Sequence, residues 1–315
     1  MTITDEIVRN IIAHNLPGRK AITIEDRGVW IRHNFRITLD TDEIIYLKID
    51  QSFPASEKEA FICDLLSKHH LPAPPVIAVD TSGAIIPNPY ILQKHCDGVK
   101  LERLLAQENE AEHEIIYFAI GKFYRKLHNI QHPYSGWIDG PGRVYNASPN
   151  EHQYQEVIVK IGQRAVDNGR LSASDHNRLQ HIWTKNLEWL DQHQPSLIGG
   201  SFLWTLYLAK KNGEWQVTKM MDLEDLLYWD AAWDLMNIQY PAFGEKLKPA
   251  VWQAFREGYG ETPCEKRRKL YLLLQRLDAG MGNYLEPETA NNRRWRDNVW
   301  KTFPKLLDEV ENLRE

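Results

Sequence analysis

Three carboxylates stand together near the middle of the chain, directly after a short predicted strand at residues 215–217. Asp222, Glu224 and Asp225 lie within a single stretch of four residues. Proteins hold Mg²⁺ with one or two carboxylates plus phosphate oxygens of a substrate, so this stretch is suited to phosphoryl transfer. The alternative is structural, with Asp222 and Asp225 capping the turn or helix that follows.

Two further carboxylates, Asp230 and Asp234, follow in the segment Trp-Asp-Ala-Ala-Trp-Asp-Leu at residues 229–235. Carboxylates at this spacing commonly accept backbone N–H bonds and brace a loop. We therefore interpret both as structural.

A lysine and a glutamate in the first sixty residues form a second candidate constellation. Lys48 comes late in a predicted strand and Glu59 follows in a predicted helix. Phosphoryl transfer from ATP needs a fixed cation against the α- and β-phosphates, and a carboxylate on the packed helix to hold that cation. Taken alone, a lysine on the polar face of a strand is more often simply solvated.

The elements that carry Lys48 and Glu59 can be read from hydrophobic periodicity. Alternation over residues 35–39 and 45–49 predicts a hairpin closed by Asp-Thr-Asp-Glu, with Lys48 on the face opposite the isoleucines. A helix is predicted from Ser56 to His69, with Ser56 and Glu59 as a capping box. Further strands are predicted at residues 76–79 and 90–93, and a short amphipathic helix at the N-terminus.

After Gly98 the pattern becomes helical. Long helical patterns are predicted in five regions: residues 113–130, 151–191, 246–258, 265–279 and 291–313. One hairpin interrupts them, with strands at 206–208 and 215–217 closed by Asn212-Gly213, a strong short hairpin signal. The sequence thus predicts a β-rich N-terminal lobe (residues 1–97) and a larger helical lobe (residues 98–315) that contains this hairpin.

Composition excludes several classes of protein. A net charge of −5 gives no support for nucleic-acid binding, which usually shows a basic face. No apolar run approaches the roughly 20 residues of a membrane span. Three widely spaced cysteines (Cys63, Cys96 and Cys264) argue against a disulfide framework or a zinc site. We expect a protein of the reducing cytoplasm, with neither nucleic acid nor membrane as its partner.

Taken in order, these segments resemble the aminoglycoside phosphotransferase family, small-molecule kinases with the protein-kinase-like fold. The match extends from about residue 30 to 238, and the C-terminal eighty residues match only in being helical. The segments that carry it are residues 34–39, 46–49, 59–60, 65–66, 74–80 and 90–98, the pair Leu127-His128, and residues 221–225 and 229–235.

The resemblance implies a two-lobed α+β fold with ATP between the lobes and Mg²⁺ as cofactors. Lys48 would contact the phosphates, Glu59 would hold that lysine in place, and Asp222 would be the metal ligand. The adenine would pack near residues 92–96, which brings Gln93 and His95 to the nucleotide. Gly28 falls where a phosphate-covering turn would lie, but that turn is not glycine-rich here.

The catalytic loop departs from the family pattern. There the loop reads His-Gly-Asp-Leu, then three variable residues and a metal-binding Asn, whereas residues 197–202 here read Leu-Ile-Gly-Gly-Ser-Phe. This places Ser201 at the Asp position, with the Asn on Leu206, or on Thr205 if the loop is one residue shorter. A gapless alternative puts Gly200 at the Asp and Thr205 at the Asn. No register restores either residue.

The replacement has chemical consequences. A serine hydroxyl has no basicity useful near pH 7, so Ser201 cannot replace the carboxylate that takes the acceptor proton, while Thr205 could offer the metal a weak neutral oxygen. The segment is also apolar, with Phe202, Leu203 and Trp204 beside Ser201. Either side chains fill the cleft, or it binds an aromatic or hydrophobic group.

Three interpretations follow. The first is a catalytically impaired member that still binds Mg-ATP and a small molecule. The second is an active ATP-dependent phosphotransferase acting on a small-molecule alcohol, with Asp225 or Glu224 as substitute base. The third is a scaffold or interaction protein that binds no nucleotide. Retention of Lys48, Glu59 and Asp222 favours the first two, and loss of the loop aspartate favours the first.

Overall fold

The computed structural model describes residues 3–29, 32–51, 54–199, 205–241, 246–261, 264–281 and 290–313. The predicted α+β, two-lobed architecture is confirmed, because an antiparallel sheet occupies residues 21–94 and helices dominate the remainder. Among the described helices, not one has the length and apolar character needed to cross a bilayer.

The N-terminal lobe contains two helices and a five-stranded antiparallel sheet of order β1-β2-β3-β5-β4. Its elements are α1 (Asp5–Asn15), β1 (Ala21–Val29), β2 (Arg32–Leu39), β3 (Ile44–Asp50), α2 (Ser56–Lys68), β4 (Val76–Asp80) and β5 (Tyr90–Lys94).

Alternation along β3 divides the two faces of this sheet. Ile45, Leu47 and Ile49 are completely buried and share one apolar cluster with α1. Successive side chains in a strand point to opposite faces, so Tyr46 and Lys48 face the other side, where α2 packs. The hairpin and the orientation of Lys48 follow the sequence prediction.

Helix α2 begins at the predicted residue, but the predicted capping box does not form. Its N-cap is Ala55, which makes no side-chain cap bond. The backbone N–H and the hydroxyl of Ser56 instead donate to the Asp50 carboxylate, at 2.9 and 2.8 Å. Glu59 is buried against cations of the sheet, which bind a carboxylate more strongly than a neutral N–H does. The capping-box prediction was therefore wrong.

The second lobe combines seven strands with nine helices in the described ranges. Its elements are β6 (Val99–Lys100), α3 (Leu101–Gln107), α4 (Glu110–His128), β7 (Gly136–Ile138), β8 (Val144–Asn146), α5 (Pro149–Gln153), a π-helical stretch (Tyr154–Ile161), α6 (Gly162–Asp167), α7 (Ala173–Asp191), β9 (Ser196–Ile198), β10 (Leu206–Lys211), β11 (Glu214–Met220), a 3₁₀ turn (Leu223–Asp225), β12 (Leu227–Trp229), α8 (Ala231–Gln239), α9 (Pro249–Tyr259), α10 (Glu265–Met281) and α11 (Ala290–Asn312).

The pattern predicted as one long helical region at residues 151–191 is interrupted. The chain turns at residues 168–172, where Gly169 has φ +66° and Ser172 caps the start of α7. A glycine in the left-handed region commonly ends a helix, so the break has a local cause.

The predicted hairpin forms from β10 and β11. Asn212 and Gly213 both have positive φ, 53° and 84°, as a type I′ turn requires. Strand β6 pairs with β10 beyond the end of the N-terminal sheet. We propose on this basis that the lobe boundary lies at residues 97–98.

Helices α4 and α9 approach closely because each has a glycine at the crossing. A Cβ on Gly121 would lie 2.2 Å from the carbonyl oxygen of Phe255, and a Cβ on Gly258 would lie 2.0 Å from that of Phe118. This contact packs α9 closely against α4 within the second lobe.

Candidate functional site

The pair predicted from sequence, Lys48 and Glu59, forms a buried ion pair. The Nζ of Lys48 on β3 lies 2.6 Å from Oε1 of Glu59 on α2, and the two residues are 9% and 1% exposed. Gln93 on β5 donates to the same Oε1 at 3.0 Å. The glutamate thus fixes the ammonium at the cleft face of the sheet.

Arg32, a residue not singled out from the sequence, joins this pair to the second lobe. Its Nη1 lies 2.6 Å from Oε2 of Glu59 and its Nη2 lies 2.5 Å from Oε1 of Glu224. Arg32 is 4% exposed, so the guanidinium is almost fully desolvated. Strand periodicity could have identified Arg32. Asn34 pairs with Lys48 across the hairpin, and Arg32 lies two residues from Asn34, so it is on the same face of the sheet as Lys48.

The two carboxylates of this cluster have opposite pKa shifts. Burial opposes ionisation of both, but Lys48 and Arg32 together lower the pKa of Glu59 to about 2. Burial raises the pKa of Glu224, and the nearby Glu59 charge raises it further; Arg32, its one ion-pair partner in the described chain, opposes this rise without cancelling it. Glu224 Oε2 is also buried without a hydrogen-bond partner among the described residues.

Asp222 stands between β11 and the 3₁₀ turn in the left-handed conformation, at φ 56°. Aspartate is among the few residues that tolerate this region. Its side chain makes no cap hydrogen bond, so the capping alternative is not supported for Asp222. Burial and the Asp222 charge both raise the pKa of the neighbouring Asp225.

A cavity of about 650 Å³ lies between the lobes, and four of the predicted nucleotide-binding and metal-binding residues line it: Lys48, Gln93, His95 and Asp222. Glu59 stands behind Lys48. The other lining residues are Arg27, Arg32, Asn34, Tyr46, Leu47, Cys96, Tyr207, Lys219, Met221, Glu224 and Asp225.

Thr205 and Gly28 are not among the described residues that line this cavity. Thr205 is buried directly before β10, and its carbonyl oxygen accepts from the backbone N–H of Met221 at 3.0 Å. Gly28 sits on exposed β1, where its N–H donates to Asp26 at 2.7 Å. Ser201 lies outside the described residues.

Asp230 and Asp234 brace the structure, as the sequence predicts. The backbone N–H of Gly199 donates to Oδ2 of Asp234 at 2.7 Å, and His128 contacts the same oxygen at 3.2 Å. Asp230 caps α8 through the N–H of Ala232 at 2.9 Å and pairs with Arg267 at 2.7 Å. Asp234 therefore anchors the backbone at Gly199, and Asp230 anchors the start of α8 to α10.

A lysine on the floor of the cleft was also missed from the sequence. Lys219 on β11 places its Nζ 5.1 Å from the ring centre of Tyr46 and 5.5 Å from that of Tyr207. Burial lowers the pKa of Lys219, and the Lys48 charge lowers it further. His95 stacks at an angle on Tyr46, with ring centres 5.8 Å apart.

A family model described as the phosphotransferase enzyme family matches residues 24–273. No curated protein matches the chain by sequence.

Solved structures of aminoglycoside phosphotransferases share the fold. A putative one from Ralstonia eutropha JMP134 is 12% identical with a TM-score of 0.67, covering 100% of both chains. A thermostable APH(4)-Ia mutant, solved with ADP and hygromycin B, is 14% identical with a TM-score of 0.66, over 95% of this chain and 98% of that one. APH(2'')-IIa, solved with streptomycin and ATP, is 12% identical with a TM-score of 0.65, over 98% and 99%.

Proposed function

Because the chain belongs to the phosphotransferase enzyme family, we propose that it is an aminoglycoside-phosphotransferase-like protein that binds Mg-ATP and a small molecule but transfers phosphate poorly. One observation carries the proposal. The Lys48–Glu59 pair is formed at 2.6 Å beside a cavity that Asp222 also lines, whereas residues 199–201 contain no carboxylate.

Nucleotide binding is supported by the cleft and by similar proteins. APH(4)-Ia and APH(2'')-IIa were solved with ADP and ATP respectively. In this chain Lys48 would contact the phosphates, and Gln93 and His95 would lie beside the base. The small molecule would bind next to the phosphates, as a ligand or as a poor acceptor.

The residues fit a magnesium ion carried in by the nucleotide. No cluster of three metal-ligating side chains exists within the described ranges. Mg²⁺ needs fewer, since one or two carboxylates and the substrate phosphates suffice. Asp222 is not committed to a cap, and Glu224 Oε2 has no hydrogen-bond partner in the described chain. These two would hold the ion, which supplies charge neutralisation when bound.

Poor transfer follows from the missing base. The acceptor hydroxyl needs a carboxylate to orient it and take its proton, and Ser201 cannot do so near neutral pH. Positioning and electrostatics supply most catalysis of phosphoryl transfer, so residual activity is expected.

An active enzyme with a substitute base is the second candidate, and the structure narrows it to Asp225. One oxygen of Glu224 is bound to Arg32 at 2.5 Å and the other would hold the metal, so neither is free to take a proton from an acceptor. Asp225 lines the cavity with a raised pKa, closer to the pH at which a general base works well. In that case Asp225→Asn abolishes ADP release with an acceptor while leaving ATP binding intact.

Thermal melting with ATP, with and without Mg²⁺, tests nucleotide binding. A ligand at 100 times its dissociation constant adds roughly 2.7 kcal/mol of stability. We expect a Mg²⁺-dependent shift in the native protein that is lost in Lys48→Ala and Asp222→Ala. Lys160→Ala, which changes an exposed lysine of the helical lobe, is the matched control and keeps the shift.

The outcomes separate the candidates. A lost shift in both cleft variants supports the nucleotide site and justifies a screen of small-molecule alcohols as acceptors. An absent shift at millimolar ATP rules out both nucleotide candidates and leaves the scaffold. Rapid ADP release with any acceptor overturns the claim of impairment.

A further inference from the structure

Lys219 differs from the other cations of the cleft because no carboxylate of the described residues pairs with it. Lys48 and Arg32 are each within 2.6 Å of a carboxylate oxygen. In the described chain no carboxylate lies within ion-pair distance of the Lys219 ammonium, whose contacts are the faces of Tyr46 and Tyr207. Lys219 is nevertheless partly buried and lines the cavity.

This arrangement is costly in the absence of a ligand. A desolvated ammonium close to a second ammonium is unfavourable. Burial is the main cause that lowers the pKa of Lys219, and the positive charge of Lys48 lowers it further. Contacts with two aromatic faces offset part of this cost. An apolar side chain would fill the same space between the tyrosines without the cost of burying a charge. A bound anion would compensate the charge of Lys219 and remove most of this cost.

We propose that Lys219 is a ligand-binding residue that, together with Lys48, holds the phosphate chain of the ligand. The two lysines approach from opposite lobes, Lys48 from β3 and Lys219 from β11, and both line one cavity. A phosphate chain is the part of a nucleotide with enough charged oxygens to contact two ammonium groups at once. This inference rests on the proposed nucleotide site and names a residue in it.

Calorimetric titration with three probes tests the role of Lys219. Tripolyphosphate has phosphates without a base, adenosine has a base without phosphates, and ATP has both; all are titrated with Mg²⁺ present. Lys219→Met should weaken tripolyphosphate and ATP by roughly 10-fold to 100-fold, the range for a hydrogen bond to a charged group. Adenosine binding should be unchanged, and Lys219→Arg should restore most of the loss.

The matched control is Lys122→Met. Lys122 also places its ammonium over an aromatic face, 4.5 Å from the ring centre of Phe118, but outside the cleft. This variant should bind all three probes like the native protein. Proton uptake gives an independent readout, because an anion raises the pKa of Lys219. Titration of ATP in two buffers, at several pH values below the ordinary lysine pKa of 10.5, should show proton uptake that Lys219→Met reduces.

Each outcome decides between the proposals. Equal ATP affinity in the native protein and Lys219→Met overturns the role of Lys219 and leaves nucleotide binding standing. Equal weakening of adenosine and ATP also overturns it, since Lys219 would then contact the base. If tripolyphosphate binds through Lys219 but neither adenosine nor ATP binds, the phosphate-binding role of Lys219 stands and the proposed nucleotide site is refuted. No binding of any probe overturns both.

Discussion

Arg32→Met removes the only side chain that bridges the two lobes through buried carboxylates in the described chain. Its guanidinium lies 2.6 Å from Glu59 and 2.5 Å from Glu224, and those carboxylates are 1% and 6% exposed. Glu59 retains Lys48 after the substitution, but Glu224 keeps no cation within ion-pair distance in the described residues. Methionine preserves much of the apolar stem, so the change isolates the lost charge.

The magnitude follows from burial. Removing one partner of a buried ion pair costs about 3–5 kcal/mol, because the other charge is left uncompensated. Unfolding entropy is about 2.1 cal/mol/K per residue, and the chain has 315 residues. The melting temperature should therefore fall by about 5–8 °C. Adding Glu224→Gln to Arg32→Met should recover part of this loss, since the orphaned charge is then removed.

Unfolding in urea, followed by both circular dichroism and tryptophan fluorescence, measures the effect. Coincident transitions by the two probes justify a two-state free energy. Arg170→Met is the matched control, because Arg170 pairs with Asp297 at 2.9 Å with both side chains about half exposed. It should cost at most about 1 kcal/mol. If Arg32→Met costs no more than this control, the cross-lobe cluster does not stabilise the fold.

Acid unfolding depends on Glu59, whose pKa of about 2 in the folded protein lies below its unfolded value of 4.5. Ionised Glu59 therefore adds about 3 kcal/mol to the free energy of unfolding above pH 4.5. This contribution is lost as the pH falls through 2. Urea titrations from pH 2 to 5 should show this slope in the native protein and a shallower one in Glu59→Gln. Asp234→Ala removes the acceptor of the buried Gly199 N–H. It should lower the free energy of unfolding by about 1–3 kcal/mol in the same assay. A loss below about 0.5 kcal/mol would contradict the bracing role. Gly121→Ala should destabilise by about 1–3 kcal/mol, because its Cβ meets the carbonyl oxygen of Phe255; a gain in stability, as helix propensity alone predicts, would refute the close crossing.

Local patterns in the sequence predicted most elements of the fold. Alternation in β2 and β3 gave the correct faces, and Asn212-Gly213 gave the correct turn, because strand periodicity and turn dihedrals depend on adjacent residues. Lys48 and Glu59 were paired correctly, since the strand and the helix that carry them are neighbours in the chain.

Contacts that depend on the tertiary arrangement were missed. Ser56 and Glu59 have the spacing of a capping box, but Glu59 binds Lys48 and Arg32 instead. The partner Glu224 lies 192 residues from Arg32, so nothing local connects them. The pairing requires knowing that β2 faces the segment after β11, which only the assembled lobes reveal.

The retained lysine–glutamate pair does not by itself discriminate between a nucleotide site and a scaffold. Lys48, Glu59, Arg32 and Glu224 form a buried chain of charges in which removal of one member is costly. A protein without any ligand would keep these residues for stability alone. Lys219 is different, because its charge is paired with no carboxylate in the described chain and its burial lowers its pKa. A scaffold would gain from an apolar residue there, so binding of anions at Lys219 is the stronger test of whether the cleft has a ligand.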